Sequence, residues 1–392
     1  MRQPVIVSAV RTAQAKFAGA LKDIKATELG SKVIKGAINT IDLDPKEIEE
    51  VIMGNVVSAG QGQNVARQAA IGAGLPYNVG AFHVDKVCGS SLKAVVLAAQ
   101  AIKCGDADTI LAGGMESMSN CPYILDKARF GYRLFDGKIT DSMVKDGLWD
   151  VYNDFHMGHT GEIIAEKYSL TREEIDEFAV WSHQKAAKAT ENGHFKDEVI
   201  PVEVPQRKKE PVIFDKDEGI RYDASLEGMA RLKPFFRKDG VVTAGNSSQL
   251  TDGASATIIM SEEKANELGL DIMGRITGYN TSGVEPSLVM EAVVPGVRDL
   301  LKKMDLTIDD IDIVEHNEAF SSASVALMKA HGIPKEKFNV NGGAVALGHP
   351  IGSSGSRILT TLLHAMKRLG KKRGLATICL GGGNAVNMVV EK

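Results

Sequence analysis

Short apolar runs alternate along this chain with longer stretches whose apolar positions recur at helical spacing. "VIMGNVV" (51–57), "DTILAGG" (108–114), "IDIVEHN" (311–317) and "LATICLGGG" (375–383) read as strands. "SLKAVVLAAQAIKCG" (91–105) and "GSRILTTLLHAMKRLG" (355–370) read as helices, each stopped by a terminal glycine. Both helices are apolar on more than one face, which predicts burial between two layers rather than one face on the surface. Strands alternating with helices predict an α/β architecture with largely parallel sheets.

The pattern is written twice. "LDPKEIEEVIMGN" (43–55) returns as "LTIDDIDIVEHNE" (306–318), and "GSS" at 89–91 returns at 352–354, both offset by 263 residues. "TILAGG" (109–114) then returns within "TICLGGG" (377–383). Three echoes in one order argue for two similar halves, each with a sheet, sharing buried helices at a pseudo-twofold interface. The middle of the chain breaks the pattern, carrying most of the aromatics and dense charge. It predicts an inserted loop domain at 119–247, with a helix at 171–193 opened by a Thr171/Glu174 capping box and stopped at Gly193. "SATIIMSEEKANELG" (255–269) resumes the strand–helix pattern. The expected division is 1–118 with 248–270 as the first half, 119–247 as the insertion, and 271–392 as the second half.

Composition narrows the function classes. With 392 residues, 44% hydrophobic and 24% charged, the chain is globular and too long for one compact core. A net charge of −4 supplies no basic field for nucleic acid. The start is too short in apolar residues for a secretion signal, and no membrane span is expected. Four cysteines without a C-x-x-C pair argue against a metal site or disulfide framework, and for a cytoplasmic protein with free thiols.

Four of the motifs can carry chemistry, and each also has a structural explanation. Cys88 opens a helix, where free N–H groups and the helix dipole lower a thiol pKa; a small buried residue would suit the same turn. His349 sits three residues before Gly352 in the second copy, as a base for a thiol across the pseudo-twofold or as a structural histidine. Cys379 stands where the first copy has Leu111, and is a core residue or a changed duplicate. Asn317 follows a strand, where it caps a turn or orients a carbonyl oxygen.

"VCGSSLKAV" (87–95), "GGMESMS" (113–119), "HNEAF" (316–320), "NVNGGAVALGHPIGSSGSR" (339–357) and "CLGGGNA" (379–385) resemble the thiolases, in particular those of bacterial acetyl-CoA acetyltransferase type. The resemblance covers essentially the whole chain, including "HMG" (156–158) and "VTAGNSS" (242–248). It implies a thiolase-like fold, with two duplicated βαβαβαββ-type halves forming a layered αβαβα core, and a Claisen condensation of two acetyl-CoA to acetoacetyl-CoA and CoA, or the reverse thiolysis. Cys88 would carry the acetyl group, activated by His349, and Cys379 would be the acid/base for the α-carbon. One oxyanion hole resembles His349 with a water held by Asn317; the other uses the N–H groups of Cys88 and Gly381. For coenzyme A the resemblance points to Leu148, His156, Met157, Arg221, Phe236, Ala244, Ser248 and Phe320, with Arg221 alternatively a solvated surface residue. It implies no cofactor beyond the thioester substrate, no metal, and a homotetramer with 119–145 between dimers. Degradation of longer 3-ketoacyl-CoA, or a noncatalytic acyl-CoA or lipid carrier on the same fold, are the alternatives.

Three stretches depart from the family pattern. Cys88-Gly89-Ser90-Ser91 stands for Cys-Gly-Ser-Gly, and "GSSGSR" for Gly-Ala-Ser-Gly-Ala-Arg. "GVEPSLVMEAVVPG" (283–296) lacks the Met-Gly-x-Gly-Pro run, which leaves Val289, Met290 or Glu291 to line the acyl pocket.

Overall fold

The computed structural model describes residues 2–207 and 209–392. Its main sheet runs through nine strands: β1 (Pro4–Thr12), β2 (Glu50–Gly54), β3 (Gly80–Val84), β4 (Thr109–Ser117), β5 (Thr251–Ser261), β6 (Gly274–Gly283), β7 (Ile313–His316), β8 (Arg373–Leu380) and β9 (Asn384–Glu391). The spatial order is β7-β8-β9-β6-β1-β5-β4-β2-β3, with two short strands, Ala15–Lys16 and Val199–Ile200, pairing off this path. The two halves therefore meet edge to edge, through Val5↔Arg275 and Ile6↔Gly274 of β1 and β6.

Alternation within each strand sends side chains to two faces. In β2, Val51 and Met53 join the outer core with α1 (Ala26–Thr40) and α2 (Val65–Gly72), while Ile52 faces the middle. The middle layer is α3 (Ser90–Cys104) and α8 (Ser354–Leu369): Leu92, Val95 and Ile102 of one and Ile358, Leu362 and Met366 of the other share a core with both sheet halves. On the far face lie α6 (Val293–Lys303) and α7 (Ser321–His331), packed on Val314, Leu375 and Val389. This is the layered αβαβα arrangement that the family resemblance implies, with the buried shared helices that the doubled pattern predicts.

Two expectations are corrected. The sheet is mixed rather than largely parallel: among the nine strands described, β2–β3, β2–β4 and β7–β8 run parallel, as does the short Val199–Ile200 strand on β1, and the remaining pairs run antiparallel. The three-glycine turn after Leu380 is too short for a crossover, so β9 returns antiparallel on β8, and β5 lies antiparallel between β1 and β4. The stretch Val87–Cys104 does reach the length and apolarity of a membrane span, with mean hydropathy 1.3. Its position between two sheet layers accounts for that apolarity, as for any core helix.

The 119–247 stretch carries α4 (Gly158–Lys167) and α5 (Arg172–Glu191), the latter opened by the Thr171/Glu174 capping box. Ile164, Ala165, Ile175 and Phe178 pack into the outer core of the second half, although the stretch leaves the chain from the first. That crossing brings its loops over the ends of α3 and α8.

Those helix ends touch. Ser91 Oγ accepts a hydrogen bond from the backbone N–H of Ser356, at 2.9 Å, so a residue of α3 satisfies a free N–H in the first turn of α8. A Cβ on Gly355 would lie 2.5 Å from the Leu92 nitrogen. Gly355→Ala therefore forces the helices apart and is expected to lower unfolding free energy by about 1–3 kcal/mol. A lower urea midpoint at unchanged slope checks this; an unchanged midpoint contradicts the close crossing.

Candidate active site

The loop that delivers Cys88 is held in an unusual shape. Val87, a β-branched residue, has φ +47°, a backbone conformation such side chains rarely adopt. The Asp85 carboxylate accepts from Val87 N at 2.9 Å, while Ser90 Oγ accepts from Lys86 N at 2.8 Å and donates to Val87 O at 2.6 Å. The turn lifts Cys88 onto the start of α3, half-buried and facing a cavity, with its own N–H and that of Gly381 pointed at the sulfur. Behind it, Glu116 on β4 accepts from Val56 N, Val57 N and Gly352 N, at 3.0, 3.3 and 2.9 Å. One buried carboxylate thereby ties the loop after β2 to the turn before α8.

His349 enters from that second turn. Its Nδ1 is 2.5 Å from Ser354 Oγ, and Ser354 Oγ donates to Pro350 O at 2.9 Å. The serine proton is thus committed, so the hydroxyl accepts from Nδ1–H and Nε2 keeps its lone pair. Asn317, immediately after β7, places Nδ2 at 3.3 Å from that Nε2, while its Oδ1 has no partner among the described residues. The neighbouring Glu318 is consumed in bracing: it accepts from Ser182 Oγ and Asn339 Nδ2, both at 2.7 Å. Cys379 closes the site at the end of β8, its Sγ 3.6 Å from Met290 Sδ.

Val87, Cys88, Gly147, Leu148, His156, Met157, Phe236, Ser247, Ser248, Leu250, Val289, Met290, Ala319, Phe320, His349, Ile351, Cys379, Leu380 and Gly381 line one cavity of about 210 Å³. Of the residues singled out from sequence, this brings together Cys88, His349, Cys379, Gly381, Leu148, His156, Met157, Phe236, Ser248 and Phe320. Asn317 reaches it through His349. His156 stacks on Phe236 with ring centroids 5.0 Å apart, and Phe236 meets Phe320 edge-on at 6.5 Å. Arg221 and Ala244 stand outside: Arg221 is half-buried, with its backbone N–H on His183 Nδ1, and Ala244 is exposed. Val289 and Met290, two of the three acyl-pocket candidates, also line it; sequence reasoning missed Val87, Gly147, Ser247, Leu250, Ala319, Ile351 and Leu380. Ile351 was within reach, since it occupies the position of Cys88 in the second copy. Glu291 is corrected out of the pocket: its carboxylate binds Lys167 Nζ at 2.6 Å and Tyr168 OH at 3.2 Å.

The electrostatics also correct the expected thiolate. Burial pushes the Cys88 thiol up, the nearby Cys379 adds to this, and the two N–H groups oppose it without winning. Burial likewise lifts Cys379 to about 12 and lowers His349 to about 3, with Arg357 adding to the latter. The resting site is therefore two neutral thiols and a neutral imidazole that carries no proton on Nε2. Because the folded Cys88 pKa is raised, its proton stays on through neutral pH and leaves only above the ordinary thiol value. The wild-type minus Cys88→Ser difference spectrum is expected to show no thiolate ultraviolet absorbance from ~pH 6 to ~pH 8.5. A full thiolate signal at neutral pH would mean a preformed cysteine–histidine ion pair instead.

Two thiols and a neutral imidazole opening on a mostly apolar cavity suit transfer of an acyl group from one sulfur to another, and the class is acyltransferase. Family models described as thiolase, N-terminal domain and thiolase, C-terminal domain match residues 4–263 and 270–392, and the chain belongs to the thiolase family. It is 52% identical over 392 residues to the acetyl-CoA acetyltransferase of Pseudomonas aeruginosa and 51% identical to that of Cupriavidus necator, covering all of each chain. A probable acetyl-CoA acyltransferase of Staphylococcus aureus is 49% identical over the same full length. The crystal structure of the Bacillus anthracis acetyl-CoA acetyltransferase superposes with a TM-score of 0.98 at 42% identity, covering 100% of this chain and 99% of that one.

Proposed function

We propose that this thiolase is an acetyl-CoA C-acetyltransferase, condensing two acetyl-CoA to acetoacetyl-CoA and CoA and running the reverse thiolysis. The observation that carries this is the meeting of Cys88, His349 and Cys379 at one small apolar cavity. The full-length relatives named above support the choice of acetyl-CoA.

The protons balance without a resident cofactor or metal. His349 Nε2 takes the Cys88 proton as the sulfur attacks the acetyl carbonyl. Collapse of the tetrahedral adduct expels CoA thiolate, which takes the Cys379 proton and leaves as CoA. Cys379, now a thiolate, removes an α-proton from the second acetyl-CoA. The carbanion attacks acetyl-Cys88, forming the new carbon–carbon bond and expelling the Cys88 thiolate, which recovers its proton from His349. The N–H groups of Cys88 and Gly381 stabilise one developing oxyanion, and His349 with an Asn317-bound water the other. Leu148, His156, Met157, Phe236, Ala244, Ser248 and Phe320 take the pantetheine arm. Arg221, with no side-chain hydrogen bond among the described residues, takes the CoA phosphates further out.

The exposed stretch between Cys121 and Thr140 supports a tetramer. Tyr123, Leu125, Phe130, Leu134, Phe135 and Ile139 are exposed together, more apolar surface than an isolated chain usually shows. We assign it to the contact between dimers, and assign the protein to the cytoplasm.

Three experiments decide. With labelled acetyl-CoA, Cys88→Ala is expected to take up no acid-stable label, while Cys379→Ala takes up label and forms no acetoacetyl-CoA. Loss of labelling in both would refute the division of roles. A strong preference for long 3-ketoacyl-CoA in thiolysis would favour the degradative alternative. For the assembly, Phe130→Asp with Phe135→Asp is expected to halve the light-scattering mass from tetramer to dimer; an unchanged tetramer rejects the stretch as the contact.

A further inference from the structure

The short helical turn Pro286–Glu291 is an unusual neighbour for a reacting thiol. It brings Met290 Sδ to 3.6 Å from Cys379 Sγ, with Met290 only 4% exposed and its surface turned to the cavity. Behind it, the fully buried Ala292, Val293 and Ala385 share one core with Met290 and Cys379, so the wall has little room to recede.

The turn is also fixed from outside. Glu291, the next residue, reaches Lys167 and Tyr168 at the end of α4, and Tyr168 is held protonated to about 12, by burial first and by the Glu291 charge second. Val284 N donates to Gly383 O at 2.7 Å, tying the approach to this turn to the glycine turn beyond Cys379. Met290 is thus clamped between α4 and the β8–β9 turn, and its unbranched side chain fills the wall beside the carbon acid/base.

We infer that Met290 is the specificity-determining residue of the acyl pocket, restricting it to the four-carbon 3-ketoacyl thioester and its two-carbon halves by occupying the volume a longer chain needs. This rests on the thiolase reaction proposed above. The S–H···S contact orients the Cys379 proton but is weak, and the restriction comes from bulk. One methylene accommodated or refused by an apolar pocket changes kcat/KM by about 10–200-fold, which sets the size of effect to seek.

The test is thiolysis of acetoacetyl-CoA and 3-ketohexanoyl-CoA by wild type, Met290→Leu, Met290→Val and Met290→Ala. The ratio of kcat/KM for the six-carbon over the four-carbon substrate is expected to rise about tenfold or more in Met290→Ala. It should rise less in Met290→Val and stay at the wild-type value in Met290→Leu, which keeps bulk without sulfur. Should Met290→Ala fail to fold, Met290→Val against Met290→Leu decides in the same way. A ratio unmoved by the smaller side chains, or moved equally by leucine, overturns the inference. Wild type inactive on both substrates instead overturns the thiolase reaction itself.

Discussion

Everything in the site hangs on two helices starting at the same point. The N-termini of α3 and α8 meet between the sheet halves, and each exposes free N–H groups and the positive end of a dipole. Two such ends together repel unless something negative or accepting lies between them. Here Ser91 Oγ accepts from α8, and the Glu116 carboxylate accepts from the turn before α8 and from the loop after β2. Burial raises Glu116 to about 7, and its three backbone donors oppose that rise. Ser91, a departure from the family pattern, is therefore a cap supplied by one helix to the other. The crossing fixes Cys88 at one end and Ser354, hence His349, at the other.

Burial decides the chemistry more than the dipoles do. A helix N-terminus favours a thiolate, but removing the thiol from water costs the charged form more, and the neutral state wins at both cysteines. The same burial holds His349 neutral by penalising the imidazolium, so Nε2 takes the thiol proton only as charge develops on the attacked carbonyl oxygen and not beforehand. A site that rests uncharged spends its N–H donors only when charge develops on the substrate oxygen, where fixed donors have their largest effect.

Much of this was legible locally. The repeated Gly-Ser-Ser, the terminal glycines of α3 and α8 and the Thr171/Glu174 box depend on neighbours within a few residues, so the sequence displays them. Strand direction did not show, because whether β5 and β9 run parallel to their neighbours is set by pairing across the sheet. The burial of Cys88 did not show either, since the residues packed around it, Val57, Met143 and Ile351 among them, lie far from it in sequence. Glu291 is adjacent in sequence to two pocket residues yet turns away, because its partners Lys167 and Tyr168 lie far upstream. Ser91 was opaque for the same reason: its partner Ser356 is in the other copy.

The duplication raises the question of why there is one site and not two. His349, Asn317, Cys379 and Gly381 all come from the second half, and Cys88 alone from the first. By the 263-residue offset, Asn317 corresponds to Gly54 and Cys88 to Ile351. A Cβ on Gly54 would lie 2.5 Å from Gly352 O and 2.6 Å from Ser91 N, so the crossing itself fills the space that Asn317 occupies in the other half. Two helices meeting off the pseudo-twofold cannot leave equal room on both sides. The turn before α8 presses into the first half at Gly54, whereas the corresponding position in the second half has room for the Asn317 side chain, which reaches the cavity through His349. Ile351, in the place of a second cysteine, lines that same cavity and supplies apolar wall. The asymmetry of the crossing thus allots the cavity to one half, and the thiol at the start of α3 is the one that faces it.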